Sequence, residues 1–240
     1  VTPKSDEECT ALLEVDPWAG RKRTIYAEPR YHFYACFPSP LGRYVLFVGK
    51  PPDLDIRVLE IDTGSCWKIP KPPINRINVG WSPDEREIAY VADDGRLVVV
   101  GVDPPHACRD LADAGPPGAR WSPDGRWIAY GGRDGQVLSL ISPDGRERMD
   151  GVLHNDEGAL LCPRWSSDSR LLAGLLHTLA HYRSGEIRPI NYEFVVDLVG
   201  RELQIGWQPE HPIPSWLVVD PATVEALRAR AKASASDRGK

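Results

Sequence analysis

Three sets of residues have the types and spacings that could do chemistry. His177 and His181 stand four apart, Arg120 and Arg164 each precede a tryptophan, and Asp84, Asp124 and Asp168 each follow a serine by two positions. Two histidines four apart would share a metal on a helix, but on a strand they sit about 13 Å apart, too far for one ion. Thr178, Tyr182 and the turn at Gly185 favour strands here, so no zinc site is expected. Arg120 and Arg164 occupy equivalent places and could converge on a carboxylate, a phosphate or a partner's acidic side chain. The alternative is structural: each could pair with a turn aspartate such as Asp124 or Asp168, or stack on a neighbouring tryptophan. The three aspartates read as turn-formers rather than metal ligands. No Gly-x-Ser-x-Gly elbow occurs, so a serine hydrolase is not indicated. The five cysteines (9, 36, 66, 108, 162) form no Cys-x-x-Cys pair. Cys36 and Cys162, in apolar segments, are expected as buried small hydrophobes, and Cys66 and Cys108 are expected to stay unpaired with each other.

The elements that must position these residues come from a repeat. Trp121-Ser122-Pro123-Asp124-Gly125-Arg126-Trp127-Ile128-Ala129-Tyr130 has near-copies at Trp81–Tyr90 and, decayed, at Trp165–Gly174, with a weaker relative at Ser39–Phe47. Ser-Pro-Asp-Gly spells a type I turn, and the apolar run after it a buried strand. The serines at 39, 82, 122 and 166 are separated by 43, 40 and 44 residues. A period near 40, with four strands of sequence per step, marks a β-propeller blade.

These residues resemble the WD40-like Pro-Asp repeats of TolB-type β-propellers, which also occur in the propellers of some peptidases. Two copies match well and two partly, over about residues 30 to 200. The resemblance implies an all-β propeller and an extracytoplasmic setting, periplasmic or in a cell-envelope complex, with any membrane association supplied by a partner or an upstream anchor. It implies no particular function, because such propellers dock partners, gate enzymes and bind ligands alike.

Cutting the repeat into strands gives five third strands but only four turn motifs. Leu12–Val15 and Thr24–Ala27 read as the third and fourth strands of a blade whose inner part comes from elsewhere, and the apolar run Ser215–Val219 is the natural donor. The expectation is five blades, or six if the chain is a fragment, closed by strands from both termini. The propeller would span 1–220. Asp220 and Pro221 then open a short helix, and a flexible tail ends the chain at 240.

One repeat breaks the rule. Between Arg170 and Asp197 the second and third strands are each about twice the ordinary ~6-residue length. This 171–198 hairpin is expected to project and to carry Leu175, His177, Leu179, His181, Tyr182, Ile187, Ile190 and Tyr192 to a partner, or else to fold over the channel as a lid. First strands around a glycosidase channel would carry carboxylates, whereas Tyr31–Phe37, Ile74–Trp81, Gly118–Trp121 and Ala159–Trp165 contain none and carry Arg76, Arg120 and Arg164 instead. The formal charge of −5 opposes a nucleic-acid partner, and no apolar run has the ~18 residues of a membrane span. The sequence therefore reads as a non-enzymatic propeller without cofactor or metal, a scaffold whose partners are other protein subunits. The alternative is a ligand-binding or carbohydrate-active propeller, with Arg120 and Arg164 holding an anionic ligand at the channel mouth. Trp81, Trp121 and Trp165 are expected to be buried between blades rather than displayed to sugar.

Overall fold

Each Ser-Pro-Asp-Gly turn is closed by its own side chains. In the computed structural model, which describes residues 11–28, 33–49, 55–71, 79–154, 158–181, 187–198 and 203–206, Ser122 Oγ donates to Asp124 Oδ1 at 2.7 Å and accepts the Trp127 N–H at 2.9 Å. Asp124 Oδ1 also accepts the Arg126 N–H, and the Ser122 N–H donates to Trp127 O at 2.8 Å. The same bonds recur around Ser82, Ser142 and Ser166. The repeat aspartates are thus consumed in building turns. The fourth position lies in the left-handed region every time: glycine at 42, 125 and 145, but Glu85 (φ 61°) and Ser169 (φ 59°) in the decayed copies. Those two side chains cost about 1 kcal/mol each relative to glycine. Ser122 is fully buried, so Ser122→Ala strands the Trp127 N–H and is expected to destabilise by about 1–3 kcal/mol, read from the urea midpoint. Ser122→Thr, which keeps the acceptor, should cost less.

The described elements are all strands: β1 (Ala11–Val15), β2 (Lys22–Ala27), β3 (Phe33–Pro38), β4 (Tyr44–Gly49), β5 (Ile56–Glu60), β6 (Cys66–Lys68), β7 (Gly80–Trp81), β8 (Glu87–Val91), β9 (Arg96–Gly101), β10 (Cys108–Asp113), β11 (Gly115–Trp121), β12 (Ile128–Gly131), β13 (Val137–Ile141), β14 (Arg148–His154), β15 (Gly158–Trp165), β16 (Leu171–His181), β17 (Ile187–Asp197) and β18 (Leu203–Gly206). They form four antiparallel four-stranded sheets in chain order, β3–β6, β7–β10, β11–β14 and β15–β18, and the β1–β2 hairpin. The β1–β2 hairpin falls where the sequence places strands, at 12–15 and 24–27. The donor run Ser215–Val219 and the helix after Asp220 lie outside the described residues. The chain divides into two units, 1–72 and 73–240.

In the second unit the core lies between successive sheets. β12 turns Ile128 and Tyr130 toward Ala89, Val91, Leu97 and Val99 of the sheet before it, and Trp127 and Ala129 toward Leu160, Leu172, Leu176 and Phe194 of the sheet after it. Both faces of the strand are covered, so it reads as a continuous apolar run rather than an alternating one. The eighth residue after each motif serine is an aromatic, Phe47, Tyr90 or Tyr130, in three of the sheets, opposite Arg57, Val98 and Ser139. In the fourth it is Gly174, and the ring is supplied from across the ladder by Phe194.

In the first unit, Leu12, Ile25 and Tyr26 of the β1–β2 hairpin pack on Phe47, Leu59 and Phe33. Cys36, expected to be buried, is instead exposed, because β3 pairs only with β4 and Cys36 alternates with the half-buried Ala35 and Phe37. Among the described residues Cys66 and Cys108 form no disulfide, and the side chain of Cys162 is outside the description. The repeat tryptophans are half-buried rather than buried. Trp121 and Trp165 lie against the inter-sheet cores, and Trp165 Nε1 donates to Arg120 O at 3.1 Å, tying the fourth sheet to the third.

Candidate functional site

The long hairpin is present, and its register decides what it can display. β16 and β17 are each 11 residues long and pair without a bulge from Leu171↔Asp197 to His181↔Ile187. β15 follows β16 as far as Gly158↔Thr178, whereas β18 covers β17 only over Glu193–Val196. Within its own sheet β16 has a neighbour for most of its length, and β17 runs on beyond its neighbour's described residues. Leu176 belongs to the core, while Leu175 and His177 on the other face are half-buried. Directly opposed residues share a face. Leu175, His177, Leu179, His181 and Ile187 therefore hold positions on one face of the ribbon, and Ile190 and Tyr192, opposite Thr178 and Leu176, hold positions on the other. Tyr182 lies outside the described residues. The list drawn from sequence is split between two faces.

The ladder's parity follows from one bond. The Leu198 N–H donates to Arg170 O at 3.0 Å, so on β17 the even-numbered residues bond to β16 and the odd-numbered ones turn N–H and C=O to the opposite edge. Beyond β18 that edge consists of Ile187, Pro189 and Asn191.

Arg120 and Arg164 precede Trp121 and Trp165 in equivalent registers, Arg120↔Ala129 and Arg164↔Ala173. Arg120 is half-buried, and its Nη1 donates to Ala119 O at 2.9 Å and Val79 O at 3.4 Å, lacing β11 to the start of β7. The same seam is tight enough that a Cβ on Gly80 would stand 3.1 Å from Ala119 O. Arg164 is exposed. Neither forms an ion pair with Asp124 or Asp168 among the described residues. A hollow of about 340 Å3 opens between the motif turns, with Trp121, Glu87, Asp84 and Asp124 on its walls. Arg109 crosses there to Glu87 at 2.7 Å and to Pro143 O, so part of its negative charge is met internally.

Sequence reasoning missed a polar cluster in the first unit. Arg57, on β5 between the buried Ile56 and Val58, reaches Asp55 at 2.8 Å, Glu28 and the Tyr26 hydroxyl at 2.9 Å, while Lys68 meets Asp55 at 2.7 Å. Tyr26 in turn donates to Glu28. Burial, and then the Glu28 carboxylate, push the Tyr26 phenol up to about 12. The hydrogen bond from Tyr26 holds Glu28 below its usual range. The members satisfy one another, so the cluster works as a clamp between the β1–β2 hairpin and the β3–β6 sheet. Its signal in the sequence was a charged residue in a third strand at the place of Val98, Ser139 and Phe194. Among the described residues no three His, Cys, Asp or Glu side chains are grouped to hold a metal ion, and no helix is long and apolar enough to cross a membrane.

No family model and no curated protein matches the sequence. Solved structures do. TolB from Acinetobacter baumannii matches 84% of the chain at 15% identity and a TM-score of 0.56, and the chain spans about half (49%) of that TolB. Oligogalacturonate lyase in complex with manganese matches 81% of the chain at 13% identity and a TM-score of 0.56, over 58% of its own length. The β-propeller domain of Myceliophteria thermophila Cps50 (Swd1) matches 88% at 12% identity and a TM-score of 0.53, over 81% of its length. The chain has the fold of a TolB-like, WD40-like β-propeller. A fold shared by a lyase and other propellers does not select an activity.

Proposed function

We propose that this propeller is a non-catalytic interaction module, a subunit of a cell-envelope or extracytoplasmic complex, that docks a partner protein through the β16–β17 arm. The observation that carries the reading is the 11-residue length of both strands where β18 spans only four. The described strands of the other sheets are two to seven residues long. Extending a hairpin past that limit gives the propeller no core and gives a partner two faces of a stiff ribbon. The extracytoplasmic setting rests on the likeness of the Pro-Asp repeats to those of TolB-type propellers.

The register indicates where to cut. Leu176 and Tyr192 form a hydrogen-bonded pair by the ladder's parity, the arrangement that a two-residue type I′ turn closes. Replacing 177–191 by Asn-Gly keeps Leu176 in the core and removes the arm. The shortened protein should melt as a folded propeller, and its partners should be recovered from a native extract at roughly a tenth of the parent's yield or less, a loss of about 1.4 kcal/mol or more. Unchanged recovery of the same partners by a folded, shortened protein would place docking elsewhere and sink the reading.

A further inference from the structure

The tip of the β1–β2 hairpin displays apolar side chains to solvent. Trp18 is 95% exposed, and Leu13 and Val15 beside it are about half exposed. Aromatic side chains usually fold onto the nearest apolar surface, and Trp18 is prevented from doing so by its turn. Asp16 Oδ1 accepts the N–H of Trp18 at 3.0 Å and of Ala19 at 2.9 Å, and the Asp16 N–H donates to Arg21 O at 2.9 Å. Gly20 supplies the left-handed step that completes the reversal (φ 65°). The indole is held out in water by a closed loop.

Three basic residues, Arg21, Lys22 and Arg23, follow the turn in an otherwise acidic chain, and with Glu14, Val15 and Asp16 they line an open hollow of about 430 Å3. Lys22 stands opposite Val15, on the outer face with Leu13 and Thr24. Arg23 meets Glu14 at 2.7 Å and Arg21 meets Asp16 at 3.3 Å. Both are solvent-exposed pairs, which hold weakly and yield to a stronger anion.

We propose that this tip rests on an anionic lipid bilayer, with Trp18 at the headgroup level and Arg21, Lys22 and Arg23 against lipid phosphates. The choice of a bilayer over an acidic protein follows from shape. A single indole on a convex, rigid tip needs a surface that deforms around it, which a lipid interface does and a folded protein does only with a matching pocket. Tryptophan prefers that interface, and basic residues beside it add attraction that falls off within a Debye length. Neither signal anchors a protein alone, and together they give reversible, salt-sensitive binding. The attachment is peripheral and needs no spanning segment.

The test is co-sedimentation of the full chain with phosphatidylcholine vesicles containing 30% phosphatidylglycerol, against pure phosphatidylcholine, at low and at 0.5 M salt; these compositions are set by the assay and, in order of magnitude, by the screening argument. The parent should sediment with the anionic vesicles at low salt only. Trp18→Ala and the triple change Arg21→Gln, Lys22→Gln, Arg23→Gln should each weaken binding roughly tenfold. Since Trp18 touches little, its variant should keep the parent's melting temperature, and brominated lipid should quench the parent's fluorescence but not the variant's. Failure of the parent to sediment, binding by either variant equal to the parent's, or tighter Trp18-dependent binding to soluble polyglutamate than to vesicles would each overturn the proposal. Removal of the β16–β17 arm should leave vesicle binding unchanged.

Discussion

Phe194→Ala lowers stability by about 3–5 kcal/mol, toward the upper end of what deleting a buried ring costs. The reason lies in the exchange across the fourth ladder. Where the other sheets carry Phe47, Tyr90 or Tyr130, this one has Gly174, and Phe194 opposite it is the ring that fills the space toward the preceding sheet. Its exposure is 1%. Truncation leaves an alanine facing a glycine, two positions from which no neighbouring side chain can relax into the void. Phe194→Leu, which keeps much of the volume, should cost only about 1–2 kcal/mol. Urea unfolding followed by far-ultraviolet circular dichroism reads both. A cost for the alanine variant below about 1 kcal/mol would mean that the ring is not the plug between the sheets.

Trp165→Ala is the second large effect, about 3 kcal/mol, at the low end of the range for tryptophan because the side chain is half-buried. The change removes an apolar surface packed on the third-to-fourth sheet core and takes from Arg120 O the indole N–H that it accepts at 3.1 Å. Trp165→Phe isolates the hydrogen bond and should lose about 1 kcal/mol. The same variants decide between structural and sugar-binding roles. If Trp165→Ala kept the parent's unfolding midpoint and lost affinity for a glycan, the carbohydrate-binding alternative would replace the structural one.

The propeller was legible in the sequence because its determinants are local. A Ser-Pro-Asp-Gly turn needs only its own serine and aspartate to close, so each copy announces a strand pair wherever it stands. The hairpin at 171–198 was legible for a similar reason: long stretches rich in apolar and aromatic residues flank the single turn signal Arg183-Ser184-Gly185-Glu186. What could not be read depends on neighbours far apart in the chain. Nothing local tells that Arg57 is met by Glu28 and Tyr26, which lie 29 and 31 residues away, or that Arg120 reaches the Val79 carbonyl, 41 residues away. Cys36 was misread because an apolar segment says nothing about which face of an edge strand each residue takes. The arm's display was over-read in the same way. A list of apolar residues along two strands ignores that odd and even positions part company, and the unbroken register of β16 and β17 sends Ile190 and Tyr192 to the side opposite Leu179 and His181.

Pro189 gives the arm one more property. It falls on the odd-numbered side of β17, which has no strand partner past β18 among the described residues, and so the one outward N–H that proline removes lies midway between those of Ile187 and Asn191. A strand arriving from another molecule would find two donors with a gap between them and a pyrrolidine ring in the path of its backbone. Long ribbons with bare margins ordinarily stack into fibres, and this one carries its own stop. An arm that docks a partner as proposed would then leave recognition to its two faces, and Pro189 would keep crowded copies of the protein from zipping to each other along this margin.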